Sequence, residues 1–211
     1  MTLSHQQFIT HEQLAKIKLP MEEAYNLPQA AYLSDHVFKQ EVEQLFLTRW
    51  VNVAHVSQIP NSGDYMCVDV FDYPLLLTRD QNNDIHVMSR VCQHKGTLIA
   101  EGSGNAQLFI CPFHAWSYGL DGQLRAAPLM DKVKNFDRHD CRLNQMRMEI
   151  WEGFIFVNIS GDAEPLAPQL VDLQKILANW RMAELIPAHE PFYYNQQQNW
   201  KINAESFLEA Y

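Results

Sequence analysis

The sequence predicts a mainly β protein with flanking helices, an α+β chain built on an antiparallel β-sandwich. Three observations carry this. From Trp50 onward the apolar residues fall into short runs with a period near two, as in half-buried strands. Turn-forming residues separate those runs at close intervals, as in antiparallel sandwiches and barrels. Apolar residues at helical spacing lie on either side of this region.

The elements follow in order. Residues 1–30 hold no sustained period. His11 to Ile17 suits a short helix, and Pro20 and Pro28 then punctuate the chain, so this part reads as an arm lying on another surface. A packing helix follows, capped by Ser34 or Asp35, with Phe38, Val42, Leu45 and Phe46 on its apolar face. Residues 50–56 read as a strand and 60–63 as a turn. Residues 65–70 and 74–79 are strands joined at Asp72-Tyr73, and 81–84 form a hairpin turn. Residues 85–91 deliver Cys92, and 107–110 deliver Cys111. Between them Gly96, Gly102 and Gly104 allow tight turns, so two hairpin tips point at one another. Asp121-Gly122 marks a further hairpin, and 125–140 is a loop. Residues 143–150 and 154–159 form a hairpin around Trp151-Glu152-Gly153. After a linker at 161–165, Leu170, Leu173, Ile176, Leu177 and Trp180 mark the packing face of a helix. A strand is expected from Phe192 to Ile202, then a helix capped by Asn203.

Composition narrows the function classes. Net charge is −9 with no basic run, which argues against nucleic acid as a partner. A hydrophobic content of 47% suits a globular chain, yet no apolar run approaches the length of a membrane span. The first residues lack the basic start and apolar core of a secretory signal, which points to the cytoplasm. Cys67 and Cys141 are expected as reduced thiols there.

The chemistry centres on Cys92-Gln93-His94 and Cys111-Pro112-Phe113-His114. Two thiolates and two imidazoles are the donor set of a [2Fe–2S] cluster with cysteines on one iron and histidines on the other. Zinc also takes Cys₂His₂ sets, but usually pairs like with like; here each half holds one of each. A Cys92–Cys111 disulfide would leave both histidines unexplained.

The segments Cys92-Gln93-His94-Lys95-Gly96 and Cys111-Pro112-Phe113-His114-Ala115-Trp116-Ser117-Tyr118 resemble the Rieske iron–sulfur domain. Respiratory Rieske proteins carry an additional cysteine pair, at positions that are Thr97 and Phe113 here. The resemblance is instead to ring-hydroxylating and related oxygenases, whose second loop usually reads C-P-Y-H-G-W with a Tyr and a D-G turn soon after. Trp116, Tyr118, Asp121 and Gly122 fit; Phe113 and Ala115 depart. The resemblance implies that Tyr118 hydrogen-bonds a cluster sulfur or ligand, against the alternative of an ordinary core tyrosine. Trp116 stands where the respiratory type often has Ser, which implies a low potential. The stretch from Trp151 to Asn158 resembles the strand that closes the domain. The expected organisation is an arm and helix at 1–47, the Rieske domain at 48–160, and a linker helix with the beginning of an α/β catalytic domain at 161–211.

Asn199-Trp200-Lys201, Glu205, Phe207, Glu209 and Tyr211 resemble the start of the catalytic domain of Rieske non-haem iron oxygenase α subunits. There the next residue is a His that binds a mononuclear Fe(II) through a 2-His-1-carboxylate site. The resemblance covers the chain from about Pro28 onward, but only about half of a family member, so the mononuclear iron is expected in a full-length protein only. It implies that Glu209 bridges the cluster of one subunit to the iron of its neighbour in a trimer; the alternative is a solvated helix carboxylate. Glu at that place leans toward quaternary-amine oxygenases, with aromatic substrates open. The family further implies a flavin- or ferredoxin-type reductase, O₂ and a small organic substrate. The competing readings are a stand-alone Rieske-type ferredoxin carrier, which has no use for the residues from Asn199 on, and a structural zinc module.

Overall fold

The computed structural model describes residues 9–189 and 194–208. In chain order, helices α1 (His11–Ile17), α2 (Ala30–Leu33) and α3 (Asp35–Glu41) lead into strands β1 (Val51–His55), β2 (Asp64–Val70), β3 (Tyr73–Arg79) and β4 (Ile85–Ser89). Then come β5 (Ser103–Asn105), β6 (Leu108–Ile110), β7 (Ser117–Gly119), β8 (Leu124–Ala126), β9 (Arg147–Trp151) and β10 (Phe154–Asn158). Helices α4 (Leu166–Gln169), α5 (Val171–Leu177) and α6 (Trp200–Leu208) follow. The chain divides into two compact units, Thr48–His189 and the described parts of Met1–Leu47 with Glu190–Tyr211.

The larger unit holds three antiparallel sheets, ordered β1-β10-β9, β4-β3-β2-β5 and β6-β7-β8. This is the antiparallel β architecture with flanking helices expected from the sequence. β3 is its hub. Leu75 and Leu77 point into a core with Ile59, Val87, Ile155 and Val157. Leu76 points the other way, into a core with Met88, Phe109, Tyr118, Leu124 and both motif cysteines. A strand buried on both faces needs an unbroken apolar run, which is why three leucines stand together. Thr78 Oγ1 donates to the Leu120 carbonyl at 2.6 Å and ties β3 to the small sheet's turn. The β9–β10 hairpin closes with a two-residue turn in which Glu152 (φ 48°) and Gly153 (φ 83°) are both left-handed. A Cβ at Gly153 would come within 2.2 Å of His55 Nε2, so packing demands glycine as well.

Several details differ from expectation. β5 forms within the glycine-bearing stretch, held by pairing with β2 rather than by side chains of high strand propensity. β9 starts at Arg147, and Gln145 makes only an isolated bridge to Met88. The face of α5 does not pack as expected: Ile176 is 72% and Trp180, just beyond it, 69% exposed. No helix among the described residues is long and apolar enough to cross a membrane.

In the smaller unit Thr10 and Gln13 form a capping box on α1. Ser34 caps α3, whose buried residue is Val37, and Val42–Phe46 continue it as a π-helical turn. Phe38 and Leu45, expected on its apolar face, are exposed. α6 replaces the end of the expected strand. Asn199, not Asn203, caps it, its side-chain oxygen accepting from Lys201 N–H at 3.1 Å. The start of that expected strand, at Phe192 and Tyr193, lies outside the described residues. Trp200 Nε1 donates to Glu41 at 3.0 Å, and Lys201 Nζ donates to both Glu41 oxygens at 2.6 and 2.8 Å. Tyr32 donates to Glu205 at 2.7 Å. Burial, and then the Glu205 carboxylate, push the Tyr32 hydroxyl up to about 12. The Trp-Lys and Glu of the terminal motif thus fasten α6 to α2 and α3.

Candidate metal centre

The two loops that carry the Cys and His pairs share one hydrogen-bond pattern. After β4, Cys92 N–H donates to the Thr97 carbonyl at 2.9 Å and Gly96 N–H to the Cys92 carbonyl at 3.0 Å. After β6, Cys111 N–H donates to the Trp116 carbonyl at 2.8 Å and Ala115 N–H to the Cys111 carbonyl at 3.0 Å. Each cysteine therefore closes its own loop. The residue four places on is left-handed both times, with φ of 74° at Gly96 and 59° at Ala115.

This scaffold places both cysteines in one core cluster and sets the two imidazoles against each other. The cysteines are buried, 2% and 3% exposed, and neither is in a disulfide. The His94 and His114 rings stand with centroids 4.7 Å apart; His94 is half-buried and His114 exposed. Sulfur thus faces the core and imidazole faces out. Among the described residues no three His, Cys, Asp or Glu side chains gather as for a single ion. A four-coordinate zinc would need all four donors on one ion. A two-iron cluster needs two protein donors per iron, with sulfide completing each, and this donor set fits it.

Second-layer contacts hold the donors. Trp116 lies parallel to the His94 ring at 4.7 Å and 11°, and Phe136 meets Trp116 edge-on at 5.7 Å. Burial, then the neighbouring His114 and Lys95, hold His94 below the usual imidazole range, which favours the neutral form that binds metal. Tyr118, fully buried, accepts from Gln93 N–H at 3.1 Å and lies 3.3 Å from Cys92 Sγ. Its oxygen already accepts from the amide, so its own proton is free to point at sulfur. Burial and the Cys92 contact push the Tyr118 hydroxyl above its ordinary range. Burial likewise raises the Cys67 and Cys141 thiols. Sequence reasoning missed Phe136, which sits in a stretch with no periodic signal. Glu209 lies outside the described residues.

Residues 49–137 match the Rieske [2Fe–2S] domain family. The chain is 31% identical over 192 residues to the carnitine monooxygenase oxygenase subunit of Escherichia coli K12, covering 90% of this chain and 51% of that protein. It is 29% identical over 199 residues to the anthranilate 1,2-dioxygenase large subunit of Acinetobacter baylyi, covering 91% and 42%. The fold superposes on the quaternary ammonium Rieske monooxygenase CntA, solved with L-carnitine, with a TM-score of 0.83 and 30% identity over 88% of this chain and 53% of that one. The chain spans about half the length of the curated relatives it matches. Its architecture, donor set and relatives agree: residues 49–137 form a Rieske [2Fe–2S] domain, in a chain similar over about nine-tenths of its length to the oxygenase subunits of monooxygenases and dioxygenases.

Proposed function

We propose that this chain is the electron-accepting half of a cytoplasmic Rieske oxygenase α subunit, with residues 48–160 as the cluster domain and 161–211 leading into the catalytic domain. The observation that carries the proposal is the pair of equivalent loops presenting two buried cysteines and two adjacent imidazoles. Cys92 and Cys111 would hold one iron and His94 and His114 the other. When bound, the cluster supplies a one-electron couple, linking a flavin- or ferredoxin-type reductase to a mononuclear Fe(II) that uses O₂ to hydroxylate a small organic substrate. The residues here do the rest. Tyr118 donates to the Cys92 sulfur and favours the reduced state. Trp116 fixes the plane of His94. His114 offers the exposed edge at which electrons arrive or leave, beside Phe113, which is 61% exposed.

The substrate class is a quaternary amine, supported by the carnitine and glycine betaine monooxygenases among the relatives. An aromatic acid is the second reading, supported by the anthranilate dioxygenase. In the full-length protein, a trimer would let Glu209 pass electrons from one subunit's cluster to its neighbour's iron. Oxygen uptake by that protein with a reductase, against a panel of quaternary amines and aromatic acids, tests the reading. Substrate-dependent uptake supports it. Electron transfer without uptake on any substrate favours the stand-alone carrier.

A further inference from the structure

The sequence reading passed over a buried cation just beyond the end of β4. Arg90 is 9% exposed and stands two residues before Cys92, at most about 7 Å away along the chain. Its backbone closes the base of the first loop. Arg90 N–H donates to the Pro74 carbonyl at 3.0 Å, and its carbonyl accepts from Ile99 N–H at 3.0 Å, outside the Cys92–Thr97 bond. Its side chain braces the same place: Nη1 donates to the Ala100 carbonyl at 3.1 Å and Nη2 to Asp69 Oδ1 at 2.6 Å. Nε is buried without a hydrogen-bond partner.

The ion pair is lopsided. The Arg90 side chain is 10% exposed and that of Asp69 61%. Water screens the carboxylate far more than the guanidinium, because the effective dielectric is high at the surface and low inside. The interior on the guanidinium's side therefore sees a net positive charge, beside the Cys67 thiol, which Arg90 also reaches and which packs against the core cluster that holds Cys92.

We propose that Arg90 is a positioning residue for the first ligand loop and raises the potential of the cluster that loop would hold: the guanidinium braces the loop base against Asp69 and leaves a poorly screened positive charge beside Cys67, against the core that holds Cys92. The proposal rests on the ligand assignment above. Reduction adds one negative charge to a cluster, so a nearby net cation favours the reduced form and raises the potential.

The test is a redox titration, read by EPR, of the cluster-loaded 211-residue chain and three variants. Arg90→Gln lowers the potential. Asp69→Asn, which removes the screened anion, raises it by a smaller amount. Arg90→Lys keeps the potential near that of the parent while lowering the melting temperature, since one ammonium cannot reproduce the guanidinium's fork. Shifts of opposite sign cannot come from loosening alone. Equal potentials throughout, or a fall in both Arg90→Gln and Asp69→Asn, overturn the proposal while leaving the ligand assignment intact. If Arg90→Gln does not fold, an Asp69→Asn potential that fails to rise overturns it by itself. A parent chain that binds no cluster overturns both.

Discussion

Gly96 and Ala115 occupy the same place in two loops of the same design. Each donates its amide to the carbonyl of the cysteine four residues before it, at 3.0 Å, and each is left-handed. The first loop meets this demand with glycine, the second with a residue whose Cβ resists it. Left-handed backbone costs a non-glycine residue about 1–2 kcal/mol, and glycine loses about 0.5–1 kcal/mol more chain entropy on folding. Ala115→Gly is therefore expected to stabilise the chain by about 0.5–1 kcal/mol, and Gly96→Ala to destabilise it by about 1 kcal/mol. Thermal melts of the two variants check the pair; a loss of stability in Ala115→Gly would show that the loops are not equivalent.

Much of this site was legible because it is local. The Cys and His pairs, the turn glycines and Tyr118 fall within a short stretch, and donor chemistry constrains their spacing tightly. The strand at 74–79 was legible as well, though not that both of its faces are buried. What escaped depends on distant partners. β5 exists because β2 offers an edge, and Phe136 and Arg90 matter only through what folding places beside them. The strand expected across 199–202 became a helix because Asn199 caps it and Glu41, far away in sequence, holds Trp200 and Lys201.

Tyr118→Phe removes the hydroxyl that bridges Gln93 N–H and the Cys92 sulfur. The cluster's reduction potential should fall, since donors to sulfur raise it, and stability should drop by about 1 kcal/mol. A redox titration alongside a denaturant melt measures both. An unchanged potential would mean that the Tyr118 proton does not point at sulfur.

The Glu41–Lys201 pair predicts an asymmetry. Lys201 is 8% exposed, and Glu41→Gln leaves its charge without a counter-ion. That single change should cost about 3–5 kcal/mol, whereas Glu41→Leu combined with Lys201→Met should recover most of it, short of the parent by about 1 kcal/mol for the Trp200 hydrogen bond it also removes. Hydrogen exchange across α6 reports it: fast exchange is expected in the single variant and most of the parent protection in the double.

Acid sensitivity should trace partly to Asp80. Burial alone would raise its carboxyl, but hydrogen bonds from His86 and from the amides of Asn82 and Asp84 outweigh it and hold the carboxyl below its ordinary 3.8. A depressed folded-state value contributes stability above the unfolded value and loses it as pH falls through the folded one. Melting temperature should therefore drop below about pH 4, and more shallowly in Asp80→Asn. Parallel pH profiles for the two proteins would rule out Asp80 as a contributor.

The most direct test of the ligand assignment is iron, zinc and acid-labile sulfide per chain, on protein purified without oxygen, with an EPR spectrum after dithionite reduction. Iron and sulfide in equal amounts are expected, with the rhombic, low-average-g signal of a histidine-ligated [2Fe–2S] cluster that disappears in His114→Ala. Zinc without sulfide, or an unaltered signal in that variant, would contradict the assignment of Cys92, His94, Cys111 and His114.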